Sequence, residues 1–330
     1  PLSFLRIEKS EIDLPSDVSM DSSEVYQKAR LNLEQMLEEK FMIRDAEPHF
    51  YVYRQKKGGH EQYGIVAGIH VDDYVNGRMK KHEFTRSDKE RERTRHIDKT
   101  DAQTGPVFVT YRSSKSINDL TAEVVKAGPE YDFTAADGVS HTAWAVNDRR
   151  DTEALVAMFA AAGDTYIADG HHRAAAAVSV ALDRRKNNKS HKGDEAYNYV
   201  MSVLFPHDQL RIMDYNRVVR DLHGLAKNAF VGRLSDIFDI ETGFKQKSPS
   251  GHREFGMYLD GDWYRLSLKS STSCPDDAVG ALDVSLLQNL VLRPILGIDD
   301  PRADQRIDFV GGIRGMEELE RLVDSGSHAV

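Results

Sequence analysis

Five consecutive residues near the middle of the chain combine groups that can bind an anion. They are Asp169, Gly170, His171, His172 and Arg173. A short apolar run over residues 166–168 precedes them and an alanine-rich run over residues 174–177 follows, which predicts a strand, a tight turn and the start of a helix. A helix start presents backbone N–H groups without intrahelical acceptors and the positive end of the helix dipole. We therefore predict that this turn binds a phosphate or a similar anion.

Two side chains of the turn allow more than one role. The planar guanidinium of Arg173 suits a bidentate contact with phosphate, but it also suits an ion pair with a nearby acid. Asp169 suits contact with a magnesium ion that bridges nucleotide phosphates, since Mg²⁺ is commonly held by one or two carboxylates, water and substrate oxygens. Asp169 also suits the N-cap position, where its carboxylate would accept a hydrogen bond from the backbone of His171 or His172. The sequence leaves both alternatives open.

The cysteine and histidine pattern argues against disulfides and structural zinc. Cys274 is the only cysteine in the sequence, which excludes an internal disulfide and a multi-cysteine zinc site. His171 and His172 are adjacent, whereas typical zinc ligands are spaced more widely and are joined by further ligands. We therefore expect magnesium rather than zinc at the turn.

A charged segment over residues 80–96 contains a second set of candidates. Ser87 and the glutamate three residues later have the spacing of a capping box, which predicts that a helix begins at Ser87. On that helix Lys89, Arg93 and His96 share one face, so their basic side chains can converge on a phosphate. The alternative is a surface helix whose charges form ion pairs along its own length, each worth only ~0.2–0.5 kcal/mol.

The residues just before this helix include a candidate base. Glu83 follows His82 directly. A carboxylate beside a phosphate site can accept the proton of an attacking hydroxyl, as phosphoryl transfer requires. The alternative is a structural ion pair between Glu83 and one of its neighbours Lys80, Lys81 or Arg86.

The composition excludes several classes of protein. The formal net charge is -9 over 330 residues, which argues against nonspecific binding to nucleic acid or to anionic membranes. No apolar run approaches the ~20 residues that a membrane span needs. Together with the single cysteine, this favours a cytoplasmic protein. The chain begins at Pro1 and stops at Val330, and we expect it to be a fragment of a longer protein at both ends.

Hydrophobic periodicity predicts alternating helices and strands. The predicted helices cover residues 23–40, 152–162, 285–292 and 316–323 and the stretches that begin at Ser87 and after Gly170. The predicted strands cover residues 50–54, 63–71, 106–111, 131–134, 141–146, 166–168, 199–205, 210–213, 255–259 and 263–268. Residues 191–195 form the best candidate linker. A linker at this position predicts two domains, residues 1–192 and residues 193–330, which we expect to pack together as one unit.

The order of the motifs resembles the ParB/sulfiredoxin-like fold, and most of all its free serine kinase branch. The resemblance is carried by His82-Glu83-Phe84-Thr85, Arg93, Pro106-Val107-Phe108-Val109 and Tyr166-Ile167-Ala168-Asp169-Gly170-His171-His172-Arg173. In that branch a His-Glu pair precedes a helix, a Pro-led strand follows, and an Asp-Gly-His-(His/Thr)-Arg turn ends the core. Residues 112–164 form an insertion here, where compact serine kinases have a short connection.

This resemblance implies a nucleotide-dependent phosphotransferase that acts on a small hydroxylated metabolite, with free L-serine as the best candidate. It implies ATP or ADP as the donor, Mg²⁺ as the metal and Glu83 as the base that activates the serine hydroxyl, with His82 beside it. The residues implied to hold the nucleotide phosphates are Thr85, Arg86, Lys89, Arg93, Thr104, Gly105, Asp169, Gly170, His171, His172 and Arg173.

Over nearly its whole length the chain is similar to a family known only as domain of unknown function 1015. The stretches that carry this similarity are Val71-Asp72-Asp73-Tyr74, Lys80-Lys81-His82-Glu83, Thr104-Gly105-Pro106-Val107-Phe108, Asp214-Tyr215-Asn216-Arg217-Val218-Val219 and Asp308-Phe309-Val310-Gly311-Gly312. The two resemblances together imply an α+β fold. Its first domain would be a ParB/sulfiredoxin-like mixed α/β core with N-terminal and internal insertions, and its second a C-terminal α+β lobe.

Two other activities are associated with this kind of turn. In sulfiredoxins the turn reads Gly-Cys-His-Arg and the cysteine reacts, but here His171 takes that position and Cys274 is remote in sequence, which argues against thiol chemistry. A non-catalytic nucleotide-binding regulatory module, as found among ParB relatives, is the alternative to catalysis. The acidic balance and the lack of a recognisable helix-turn-helix argue against DNA as its partner.

Overall fold

A computed structural model describes residues 2–83, 85, 87–301 and 303–330. The chain divides into two compact units, residues 1–210 and residues 211–330, called here the first unit and the second unit. The sequence places the boundary at residues 192 and 193 instead. The difference arises because the strand over residues 199–206 pairs within the large sheet of the first unit. Mixed helices and sheets make up both units, which confirms the α+β class.

The first unit contains the two segments that carry the candidate chemistry. Its helices are α1 (Leu5–Glu8), α2 (Ser23–Glu38), α3 (Val71–Val75), α4 (Ser87–Thr100), α5 (Lys115–Val124), α6 (Arg149–Ala161) and α7 (His171–Asn187). Its strands are β1 (Phe50–Lys57), β2 (His60–His70), β3 (Met79–Lys80), β4 (Val107–Tyr111), β5 (Tyr131–Thr134), β6 (Ser140–Val146), β7 (Thr165–Asp169) and β8 (Tyr199–Pro206). Short 3₁₀ helices cover Ser10–Asp13, Ala196–Asn198 and His207–Gln209.

Within the described residues, these eight strands form one mixed sheet in the order β3-β7-β4-β8-β2-β1-β6-β5. Strand β4 runs antiparallel to β7, and its Phe108 lies opposite Asp169. The start of β4 therefore lies beside the end of β7. This pairing brings the loop that contains Gly105 next to the turn that contains Gly170, although the two segments are far apart in sequence.

Helix α7 packs closely on this sheet because its buried face consists of small residues. Ala174, Ala177 and Ala181 recur at helical spacing and lie in the same core cluster as Val109 and Ile167. Small side chains let a helix axis approach the strands without leaving voids. The packing fixes the first turn of α7 at the end of β7.

Helix α4 lies between α7 and the N-terminal helices. Glu90 of α4 accepts a hydrogen bond from Ser179 of α7 (3.1 Å), and further along both helices Asp98 lies 3.5 Å from Arg184. The two helices therefore run in the same direction. On another face of α4, the buried His96 contacts the backbone oxygen of Ile7 through Nε2 (2.9 Å).

The second unit has its own core and two small sheets. Its helices are α8 (Lys227–Ser235), α9 (Asp283–Leu287) and α10 (Glu317–Asp324), with a π-helical segment over Gln288–Leu292 and a 3₁₀ turn over Gly312–Arg314. Its strands are β9 (Tyr215–Val219), β10 (Phe238–Thr242), β11 (Glu254–Leu259), β12 (Asp262–Leu268) and β13 (Ile307–Gly311). In the described part of this unit, the strand orders are β10-β12-β11 and β13-β9. Phe230, Leu234 and Leu296 are almost fully buried at its centre.

Most predicted elements are confirmed within a few residues of their ends. The hairpin of β11 and β12 turns at Asp260 and Gly261, which both have positive φ (52° and 85°), as a two-residue hairpin turn requires. The strand predicted over residues 210–213 is wrong, because that segment pairs with no other strand in the described residues and joins the two units. No helix in the described residues is long and apolar enough to cross a membrane.

Candidate active site

The predicted anion-binding turn connects β7 to α7 as expected. Gly170 is the N-cap of α7 and has φ 92° and ψ 29°, a left-handed conformation that favours glycine. No side chain caps this helix end. The N-cap role considered for Asp169 is therefore wrong, because Asp169 ends β7 one residue earlier. A helix start without a side-chain cap is the arrangement at which backbone N–H groups can bind an anion.

Arg173 connects the turn to the loop that precedes β4, because it bonds both Asp169 and Pro106. Its Nη2 donates to Asp169 Oδ2 at 2.6 Å and its Nη1 donates to the backbone oxygen of Pro106. A Cβ atom added to Gly170 would lie 3.1 Å from Arg173 Nε, and one added to Gly105 would lie 3.3 Å from Arg173 Nη1. Glycine at both positions thus leaves room for the guanidinium. Of the two roles considered for Arg173, the ion pair with an acid is present.

His171 has its side chain inside the protein, whereas the sequence places it among the phosphate ligands. Only 3% of the residue is exposed. Its Nε2 accepts the backbone N–H of His82 at 3.5 Å, and its Nδ1 lies 3.2 Å from Oε2 of Glu83. Since Nε2 acts as the acceptor, the neutral ring carries its proton on Nδ1, which faces the carboxylate.

Glu83 and His82 are thus brought to the start of α7. The His82 ring packs edge-on against the His171 ring, with centroids 4.4 Å apart and planes at 85°. The side chain of Glu83 is 57% exposed. One carboxylate oxygen is therefore oriented by a buried imidazole while the group as a whole remains accessible to solvent. Of the ion pairs considered for Glu83, those with Lys80 and Lys81 do not form among the described residues: Lys80 pairs with Asp164 and Lys81 lies over the Tyr74 ring.

The environment of His171 favours its neutral form. Burial, the largest cause, and the nearby His82 lower the pKa of His171 below its ordinary value of 6.5, against the opposing charges of Glu83 and Asp169. A neutral ring keeps the Nδ1 proton and the tautomer described above. The lowered pKa therefore agrees with the neutral tautomer assigned above.

This lowered pKa predicts a pH-dependent stability. As the pH falls through about 6.5, the unfolded chain takes up a proton on residue 171 before the folded chain does, so the free energy of unfolding decreases toward acid. We expect His171→Asn to remove part of this decrease, since asparagine does not titrate. Urea unfolding between about pH 7.5 and pH 5.5 measures it, with the exposed His252→Asn as control. Equal pH slopes for the wild type and His171→Asn would contradict the assignment.

Four of the predicted phosphate ligands line one small cavity. Arg93, Thr104, Gly105 and Arg173 border a space of about 20 Å³ together with Glu8, which is enough for about one water molecule. Glu8 Oε2 accepts a hydrogen bond from Arg93 Nη1 at 2.9 Å. Burial opposes the ionisation of Glu8, but hydrogen bonds from Thr104 and Arg93 and the Arg93 charge lower its pKa overall. Glu8 is a site residue that sequence reasoning missed.

Other predicted residues lie elsewhere or form other contacts. Lys89 pairs with Glu92 on its own helix, with both side chains about half exposed. The Thr85 hydroxyl donates to Glu90 at 2.9 Å. Arg86 lies outside the described residues. His172 is half-buried in the first turn of α7.

The direction of the helices concentrates positive potential at this end of the first unit. Helices α4 and α7 run the same way, and Glu83, just before α4, contacts His171 at the start of α7. Both N-termini therefore lie on the same side of the unit. Each long helix contributes roughly +0.5 charge at its N-terminus, which adds to the charge of Arg173 and opposes the carboxylates of Glu83 and Asp169 at this surface.

The described residues contain no group of three or more His, Cys, Asp or Glu side chains that could hold a metal on its own. Asp169, whose side chain is 72% exposed, offers a single carboxylate at the turn. That arrangement fits Mg²⁺, which completes its coordination with water and phosphate oxygens. It does not fit a structural zinc site, which needs four protein ligands.

Comparison with known proteins identifies the family. The family model described as "Protein of unknown function (DUF1015)" matches residues 1–285, a range that includes Glu83, Arg93 and the turn at Gly170. No match was found among curated proteins or among solved structures. The family predicted from the sequence motifs is thus confirmed. The chain belongs to the DUF1015 family of proteins of unknown function.

Proposed function

We propose that this protein is a nucleotide-dependent phosphotransferase that acts on a small hydroxylated metabolite, with free L-serine as the preferred acceptor. The observation that carries the proposal is the pairing of an exposed carboxylate, Glu83, with the buried His171 at the start of an uncapped helix. This places a candidate base beside a candidate phosphate site. The resemblance to free serine kinases agrees with that arrangement.

The turn at Gly170 supplies the groups that would hold the donor phosphates. The left-handed glycine allows close approach of the backbone, and the first-turn N–H groups of α7 would donate to phosphate oxygens. Arg173 would add a bidentate contact. Its present partners are a carboxylate and a carbonyl oxygen, the kinds of acceptor that a phosphate oxygen can replace.

Glu83 would act on the acceptor. Its carboxylate takes the proton from the serine hydroxyl while the serine Oγ forms a bond to the terminal phosphorus of ATP or ADP. The bond between that phosphorus and the bridging oxygen breaks, and ADP or AMP leaves with the electron pair. The Nδ1–H of His171 would hold the carboxylate in position for this step.

Asp169 would hold Mg²⁺ together with the donor phosphates. The metal offsets negative charge on the phosphate oxygens. Asp169, which accepts a hydrogen bond from Arg173 at 2.6 Å, would then hold the metal beside the guanidinium that would contact the phosphate. The single free cysteine, Cys274, suits a reducing compartment, and we propose a cytoplasmic location.

The direct test is product formation. Purified protein incubated with Mg²⁺, L-serine and either ATP or ADP should yield O-phosphoserine, detected by phosphorus NMR and mass spectrometry. L-Alanine, which differs from serine by the hydroxyl alone, is the matched control and should give no phosphorylated product. Absence of phosphorylated product with serine and with a panel of small alcohols, under both nucleotides, would overturn the proposal.

A further inference from the structure

The second unit contains a cavity far larger than the one in the first. Its volume is about 480 Å³, within the ~300–1,000 Å³ that small-molecule sites occupy. Its walls are mainly apolar and include Val219, Phe230, Leu234, Met257 and Leu292. An apolar cavity of this size calls for an apolar ligand body.

One charged group at the edge of this cavity lacks a partner of opposite charge. Arg217 of β9 borders the space. Its guanidinium donates to the backbone oxygen of Tyr215 and lies 5.3 and 5.5 Å from the centres of the Tyr215 and Phe309 rings. Among the described residues, no carboxylate forms an ion pair with it. Burial lowers the pKa of Arg217, which reflects the cost of removing this charge from water without an anion.

Four other charged residues line the cavity, namely Asp214, Lys247, Glu254 and Asp283, and two of them form close ion pairs. Lys247 pairs with Glu320 at 2.7 Å and Glu254 pairs with Arg265 at 2.7 Å. The charges of Lys247 and Glu254 are already neutralised by these ion pairs. The guanidinium of Arg217, in contrast, has N–H groups that donate to no carboxylate among the described residues. Arginine presents five donors in a planar fork that matches a carboxylate.

A second polar group at the cavity also lacks a partner. The Nδ2 atom of Asn216 is buried and makes no hydrogen bond to any described residue. Neighbouring residues on a strand point to opposite faces, so the side chains of Asn216 and Arg217 lie on opposite faces of β9. Buried polar groups in folded proteins are nearly always paired with protein, water or ligand. A ligand group on the face of β9 opposite to that of Arg217 would be needed to satisfy Asn216.

We propose that the cavity of the second unit binds an amphipathic organic acid, a small molecule with an apolar body and one carboxylate, and that Arg217 receives the carboxylate. The apolar walls take the body and the unpaired guanidinium selects the acid over a neutral analogue. This site is separate from the proposed phosphotransfer and depends on neither Glu83 nor Arg173.

Octanoate and 1-octanol provide the test, since they share a chain length and differ in charge. Isothermal titration calorimetry on the whole protein should show that octanoate binds at least about tenfold more tightly than 1-octanol, as a charged hydrogen bond implies. Arg217→Leu should remove this preference. Arg220→Leu, which deletes an exposed arginine paired with Asp308, should keep it.

A third variant separates loss of charge from loss of folding. Val284→Trp adds volume at the cavity at a position that is 47% exposed. It should weaken the binding of both octanoate and 1-octanol without unfolding the protein. Equal affinity for acid and alcohol, no binding of either by the wild type, or an unchanged preference in a folded Arg217→Leu would each overturn the proposal. If Arg217→Leu does not fold, the wild-type comparison of the two probes decides alone.

Discussion

Replacement of Glu83 by glutamine should lower the rate of phosphoryl transfer to serine by about 10²–10⁴-fold, the range expected for loss of a general base. Glutamine has nearly the same shape and can still face His171, but its amide cannot take the hydroxyl proton. Nucleotide affinity should stay unchanged, because Glu83 acts on the acceptor. The loss should therefore appear in kcat rather than in the dissociation constant for the nucleotide.

The measurement needs a matched control because glutamates are abundant on the surface. Glu61→Gln changes an exposed glutamate of β2 that lies 3.8 Å from Lys56 and should leave both rate and affinity unchanged. Full activity in Glu83→Gln would exclude Glu83 as the base. A loss of nucleotide binding in that variant would instead assign the carboxylate to the donor side of the site.

Local patterns explain why the turn could be predicted. An apolar run, a glycine and an alanine-rich run fix β7, the left-handed N-cap and α7, and each of these depends on near neighbours in the sequence. The position of Asp169 was harder to predict. A residue that precedes a helix can be the N-cap or the last residue of a strand, and here Gly170 takes the cap because the turn requires φ of 92°.

The contact between Glu83 and His171 could not be predicted from local pattern. His82, the neighbour of Glu83, is 89 residues away from His171 in the sequence. The contact between these segments depends on the pairing of β4 with β7 and on the packing of α4 against α7. The sequence places His171 with the phosphate ligands because its imidazole belongs to the predicted anion-binding turn and because the resemblance to free serine kinases implies that role. The buried ring instead contacts the backbone N–H of His82 and the carboxylate of Glu83.

Glu8 illustrates a second limit. It belongs to a helix of four residues, Leu5–Glu8, which is too short to show a periodic pattern. Its contact with Arg93 arises only when the N-terminal helices cover α4. The face of α4 predicted to be open to phosphate is therefore partly occupied, with His96 buried against Ile7. Of the basic residues predicted on that face, Arg93 and His96 border the cavity shared with Arg173, whereas Lys89 pairs with Glu92.

Two variants together distinguish catalysis from regulation. An enzyme requires both the base and the phosphate contact, whereas a nucleotide-binding module requires the phosphate contact alone. Nucleotide binding that depends on Arg173 but yields no product in the wild type would favour the regulatory module. Turnover that depends on both residues would favour the phosphotransferase.

Replacement of Arg173 by methionine should weaken nucleotide binding by about 10–150-fold, which corresponds to the ~1.5–3 kcal/mol of a charge-assisted hydrogen bond. Methionine keeps much of the apolar stem and removes the fork that would hold two phosphate oxygens. Arg173→Lys keeps the charge but loses the bidentate geometry, so its affinity should lie between those of the wild type and the methionine variant. Calorimetric titration with ATP and with ADP in the presence of Mg²⁺ gives the values.

Arg173 also bonds Asp169 and the backbone oxygen of Pro106, so its removal can disturb the turn itself. Thermal unfolding of each variant measures this separately from binding. Arg149→Met removes an arginine whose side chain is 91% exposed and pairs with Glu153, and it should bind nucleotide like the wild type. If Arg173→Met unfolds like the wild type and binds nucleotide with unchanged affinity, this turn is excluded as the site that binds the nucleotide phosphates. Weaker binding with an unchanged melting temperature would locate the nucleotide phosphates at the start of α7, where the carboxylate of Glu83 contacts His171.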